Sequence, residues 1–147
     1  MKLEHGVEPH VSAPAGAITL SAVDMGSWMA MFLNHGKLPN GKQLLSEDAL
    51  HMLWTPVVVT RADTFPGPMA LANPHLQAYA LGWFVEEYRA HPVVEPTGAV
   101  LAALSALSLI PDKGIGSDAS ISAEWTGARG SVVYHLLHEH LGQHPTC

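Results

Sequence analysis

Apolar positions first recur at three- and four-residue spacing behind Ser21, where Met25, Trp28, Met29 and Phe32, with Leu33 beside them, form one stripe of an amphipathic helix. Ser21 and Asp24 stand three apart at its start, the capping-box arrangement in which side chains satisfy the orphan N–H groups of a first turn. Asn34-His35-Gly36 marks its end. Leu38-Pro39-Asn40-Gly41-Lys42 then reads as a turn or small hairpin tip. Ser46 caps a second, short helix with Glu47 and Asp48 in its first turn, Leu50, Leu53 and Trp54 on its apolar face, and Pro56 as its stop.

Periodicity fades over residues 56–78, where Pro56, Pro66, Pro68 and Pro74 predict a long loop. From Tyr79 to Tyr88 aromatic and branched residues predict a strand, followed by a turn at Arg89-Ala90-His91 and a returning strand at Pro92-Val93-Val94. Ala99 to Ile110 has no decisive period, and its Ala and Leu content favours helix. Pro111-Asp112-Lys113-Gly114 is a turn, and Ile115 to Trp125 alternates loosely as a strand with one wet face. Ser131 to Leu141 predicts a last helix, with Val132, Val133, Leu136, Leu137 and Leu141 as apolar positions and Gly142 as its stop. Residues 1–20 carry no period and read as entry loop, punctuated by Pro14-Ala15-Gly16.

Composition narrows the class of molecule. With 147 residues, 48% of them apolar and 14% charged, the chain is long enough for one core and short for two. The net charge of -6 and the absence of a basic run argue against nucleic acid and anionic membrane as partners. The single cysteine, Cys147, is terminal and cannot form an internal disulfide. No leader-like stretch opens the sequence and no apolar run reaches bilayer length, so the chain as written reads as soluble and cytoplasmic.

Several of these segments, taken in order, resemble one family. Pro14-Ala15-Gly16, Ser21, Asp24-Met25, Trp28, the Gly-Lys-Leu-Pro turn, Leu44-Leu45-Ser46, Met52, Trp54-Thr55-Pro56 and Tyr79-Ala80-Leu81-Gly82-Trp83 are similar to the serine β-lactamase-like and penicillin-binding hydrolases, in their class C and esterase-type branch. The resemblance runs from about Pro14 to Leu141 and corresponds to the C-terminal half of that domain. It implies an α+β fold, an antiparallel sheet flanked by helices that makes up part of the β-lactamase/transpeptidase-like fold, and it implies that Ala99 to Ile110 is mostly strand. On that template residues 1–13 are an entry loop, 14–55 a helical part, 56–78 a Pro-rich loop, 79–125 the sheet and 128–142 the C-terminal helix, all in one unit.

The family opens an amide or ester with a serine activated by a lysine, placed as Ser-x-x-Lys at a helix start. Here the residues three before Lys37, Lys42 and Lys113 are Asn34, Pro39 and Ile110, so the motif is absent. Tyr-x-Asn and Ser-x-Asn are absent as well, since Phe32, Leu38 and Leu71 stand two before Asn34, Asn40 and Asn73. No catalytic residue is therefore assigned. The family's Lys-Thr-Gly or His-Thr-Gly strand falls on Pro96-Thr97-Gly98. The resemblance makes Thr97 a hydroxyl for substrate, Gly98 a place for close backbone approach and the Ala99 amide an oxyanion donor. Pro96 departs from the pattern because it supplies neither cation nor N–H. Ala102-Ala103 likewise replaces the Gly-Phe of many relatives. The alternative is that Pro96-Thr97-Gly98 simply ends a strand in a turn.

Other residues have plainer explanations. His135, His138, Glu139, His140 and His144 crowd the last helix, and His135 with Glu139 is spaced to share a zinc ion, but no His-Glu-x-x-His is present and a solvated polar face accounts for them better. Met25, Trp28, Met29 and Trp54 have packing spacing, Ser21 and Ser46 are explained as caps, and His35 and His51 have no partner identifiable from sequence. No metal or other cofactor is expected. Two readings follow: the C-terminal portion of a serine hydrolase, silent alone, or a non-catalytic module of the same fold that binds a small amide or ester or a partner chain. Either leaves a sheet edge through which the chain could self-associate.

Overall fold

The computed structural model describes residues 16, 18–60, 76–100, 103–122 and 126–141. Helix α1, Ala22–Leu33, starts as its sequence predicts: the Asp24 N–H donates to Ser21 Oγ at 3.2 Å and the Ser21 N–H returns to Asp24 Oδ2 at 3.4 Å. The chain leaves the helix through His35 and Gly36 at φ of 53° and 78°. Gly36 has no substitute there, because a Cβ would stand 2.1 Å from the Leu45 carbonyl oxygen. A bridge between Lys37 and Gln43 closes the small hairpin tip around Asn40-Gly41. Helix α2, Glu47–Trp54, is capped by Ser46, whose Oγ accepts the Ala49 N–H at 3.1 Å.

Seven antiparallel strands follow: β1 (Val58–Thr60), β2 (Gln77–Tyr79), β3 (Phe84–Tyr88), β4 (His91–Glu95), β5 (Thr97–Val100), β6 (Ala103–Ile110) and β7 (Ile115–Ile121). They pair in the order β1-β2-β3-β4-β6, with β5 on the same side of β6 as β4 and β7 on the other. Helix α3, Thr126–His140, closes the described chain. The hairpin between β3 and β4 turns on Arg89 and Ala90, both left-handed at φ 53° and 63°, the conformation that a two-residue type I′ turn needs.

Helices cover both faces of the sheet. On one, Met31, Phe32 and Leu50 of α1 and α2 pack with Trp83, Val94, Leu107 and Leu109. On the other, Val133 and Leu137 of α3 pack with Val93, Ala106, Ile110 and Ala119. Adjacent residues Val93 and Val94, and Leu109 and Ile110, are thus buried on opposite faces. A strand covered on both sides reads as a continuous apolar run, which is why β6 shows no period of two and resembles a helix by composition.

The structure therefore corrects several expectations. The segment 99–110 is not helix but parts of β5 and β6. The loop expected over 56–78 contains β1 and β2 at its ends, so the sheet begins at Val58 rather than at residue 79. Tyr79 to Tyr88 is not one strand: it breaks at Ala80–Trp83, where the Ala80 N–H donates to the Trp83 carbonyl and Gly82 takes φ 82°. In α1, Met31 is in the core and Trp28 is 41% exposed, though it meets Phe32 edge-on at 5.0 Å. The last helix begins at Thr126, earlier than expected, and Val132 is 46% exposed. The entry loop 1–13, Pro14-Ala15, the prolines at 66, 68 and 74, Ala102, Trp125, Gly142, His144 and Cys147 lie outside the described residues. Among the described residues no helix is long and apolar enough to cross a membrane.

Candidate functional site

Strands β4 and β5 form one nearly continuous rail along β6, interrupted at Pro96. The Pro96 carbonyl accepts the Leu107 N–H at 3.4 Å, but proline has no N–H to return, so the ladder loses one bond at this point. On the outer side, β3 ends its pairing with β4 at Phe84 opposite Glu95. β5 runs past that end and pairs with β6 alone among the described strands. Main-chain groups in an antiparallel ladder alternate between facing the partner and facing away. With position 96 bonded to β6, positions 98 and 100 face β6 too, and the N–H and C=O of Thr97 and Ala99 point to the open edge. Thr97, Gly98 and Ala99, the three residues singled out in the sequence, are thus consecutive on an edge strand, and Pro96 interrupts a strand rather than ending it in a turn.

Gly98 lies directly opposite Ser105 in β6, which lies opposite Ser120 in β7. A Cβ at Gly98 would stand 2.7 Å from Ser105 Oγ, so glycine here is a matter of space between strands. Two residues before Ser120 on the same sheet face is Asp118, whose Oδ2 accepts from Ser120 Oγ at 3.3 Å while Oδ1 is buried without a partner. Burial raises the Asp118 carboxyl above its ordinary value of 3.8, and the serine bond opposes this in part. A small polar strip (Gly98, Ser105, Ser120, Asp118) therefore crosses the face that α1 and α2 cover farther along. Nothing in the sequence pattern marked Asp118, because an Asp in a loosely alternating strand reads as one more wet position.

The opposite face holds a second polar group that sequence reasoning missed. Glu86, 6% exposed, accepts Gln77 Nε2 at 3.0 Å and the Tyr134 hydroxyl of α3 at 2.7 Å, and Gln77 in turn accepts from Thr60 Oγ1 at 3.0 Å. Ser108 donates to Glu95, and the Tyr88 hydroxyl and His138 Nδ1 lie 3.3 Å apart. Burial, with the carboxylates of Glu95 and Glu86 nearby, drives the Tyr134 hydroxyl far above its ordinary 10.0. It stays protonated and donates to Glu86. These side chains tie α3 to the sheet and lie across it from the strip containing Gly98. The only signal available beforehand was polar residues inside otherwise apolar runs, at Glu86 and Ser108.

His135 and Glu139 form an exposed pair at 3.5 Å, and among the described residues no three His, Cys, Asp or Glu side chains converge as a metal site would require. His138 turns inward to Tyr88, so it does not share that exposed face.

No family model and no curated protein matches this chain. Among solved structures, the octameric penicillin-binding protein homologue from Pyrococcus abyssi superposes with a TM-score of 0.65 at 18% identity, over 85% of this chain and 25% of that one. The chain spans about a quarter of that protein's length, and the likeness establishes the fold: an antiparallel α+β arrangement of the penicillin-binding kind.

Proposed function

We propose that residues 1–147 form one unit, the far wall of a β-lactamase-related serine hydrolase domain, holding an amide or ester ligand along β5 while the reactive serine and its lysine belong to a part of the domain that this sequence does not contain. The observation that carries the reading is the open edge of β5. An exposed strand edge accepts an extended ligand by main-chain hydrogen bonds, and the outward N–H of Ala99 is suited to a carbonyl oxygen that gains negative charge. The absence of Ser-x-x-Lys and Tyr-x-Asn supports a chain that binds but does not acylate by itself. Pro96 removes the cation that relatives place at the head of this strand, so neutral carbonyl ligands are favoured over carboxylates. The test is intact-mass spectrometry after incubation with a penicillin or a fluorophosphonate. The unmodified mass is expected, and an acyl or phosphonyl adduct on any serine refutes the reading.

A second reading has its own support. Pro96 and the broken ladder beside it also suit a module that has given up hydrolysis and kept the fold for binding or assembly, and the Pyrococcus homologue is described as octameric. Measuring the mass of the chain in solution separates the two, since an independent module melts cooperatively as a defined species and a severed portion aggregates.

A further inference from the structure

We infer that β1 is a self-pairing edge, at which two copies of this chain join antiparallel about a two-fold axis and extend the sheet across both. Among the described strands, β1, β5 and β7 each have one side without a strand partner. Natural sheets protect such sides with charge, proline or an interrupted ladder. β5 has Pro96 at its head, and β7 carries Asp118. β1 has none of these features: from Thr55 to Thr60 the sequence is Thr-Pro-Val-Val-Val-Thr, without a charge, and Pro56 precedes the strand.

Its side chains are open on both faces. Val58 lies opposite Tyr79 and Val59 opposite Ala78, so the two valines point to opposite faces, yet they are 57% and 71% exposed. Val57, Leu76 and Tyr79 around them are exposed too. An end strand that helices do not cover on either face, and that offers valines to both, gains from a cover that wraps both faces at once. A neighbouring strand does this, whereas a small molecule does not. The occupant argued for is a second copy because an antiparallel strand is its own complement under two-fold symmetry. With the axis at Val59, Val59 meets the partner's Val59, and Val58 meets the partner's Thr60. The chain's net charge of -6 opposes self-association over most surfaces, and this edge contributes nothing to that repulsion. The inference stands apart from the role proposed for β5, since the two strands lie at different ends of the sheet.

Light scattering after size exclusion tests it with the full chain at about 1–100 µM, the range in which a weak, small interface associates. The molar mass should rise from 15.7 kDa toward twice that value, and Val59→Lys should hold it at the lower value. The substituted position is mostly exposed, so circular dichroism and the melt of the dilute variant should match the wild type. Independently of any variant, amide exchange of Val58 to Thr60 in the wild type should slow as concentration rises. A wild type that stays at one chain mass at the highest concentration overturns the inference. So does a dimer untouched by Val59→Lys, or a protein whose β1 exchange ignores concentration.

Discussion

Replacing Tyr134 with phenylalanine removes one hydroxyl and leaves the rest of the ring, so it isolates the bond that fastens α3 to the sheet. The hydroxyl donates to Glu86 Oε1 at 2.7 Å, and Glu86 is 6% exposed, so water cannot readily take its place. Hydrogen bonds to charged groups contribute about 1.5–3 kcal/mol, and a buried acceptor left short of a donor adds to the loss. The ring itself remains against Tyr88, with centroids 5.2 Å apart. A loss of about 2 kcal/mol is therefore expected, and with a urea slope of about 2 kcal/mol/M the unfolding midpoint falls by about 1 M. Tyr88→Phe is the control: it removes only the longer 3.3 Å contact to His138 and should cost less than half as much. The wild type adds a pH signature. The folded state holds the Tyr134 proton more tightly than the unfolded chain does, so this contribution is complete below the ordinary tyrosine value of 10.0 and fades as pH rises beyond it. Tyr134→Phe should flatten that alkaline decline. A Tyr134→Phe midpoint within about 0.2 M of wild type refutes the assignment, since the loss would then be below about 0.5 kcal/mol.

Other outcomes follow from the same structure. Asp118→Asn should raise the melting temperature at pH 7: the fold disfavours the ionised carboxyl, so stability is gained as pH falls toward 3.8, and the advantage of the variant should vanish in acid. Gly36→Ala should cost about 2–4 kcal/mol or prevent folding, because φ 78° and the approach to the Leu45 carbonyl both oppose a Cβ; urea denaturation reads it. Ser21→Ala should cost about 1 kcal/mol by loss of the α1 cap, again by urea, with amide exchange rising first at Asp24.

What the sequence disclosed, and what it hid, divides along physical lines. Features set by neighbours in the chain were legible: the caps at Ser21 and Ser46, the Asn40-Gly41 tip, and the turn at Pro111–Gly114, which is a short 3-10 turn ending in left-handed Gly114. Features set by distant partners were not. β1 and β2 are three residues each and are separated by proline-rich sequence, so only their pairing with one another and with β3 defines them. The strand nature of 103–110 came from the family resemblance, because burial on both faces erases the alternation that would announce it. Tyr134 and Glu86 are 48 residues apart, and no local pattern foretells that they meet. The candidate site divides in the same way. Thr97, Gly98 and Ala99 were found through their place in a succession of motifs, and the structure sets them on an open edge. Asp118 was found only from its buried, unpartnered oxygen.

The account turns on β5 as a surface that holds a carbonyl ligand without reacting with it. A nitrogen–proton correlation spectrum of the isotope-labelled chain, titrated with a penicillin, tests this most directly. The amides of Thr97 and Ala99, which face the open edge, should shift furthest and saturably, Gly98 less, and all should return on dialysis. Shifts confined to other strands, or changes that persist after the ligand is removed, would contradict it.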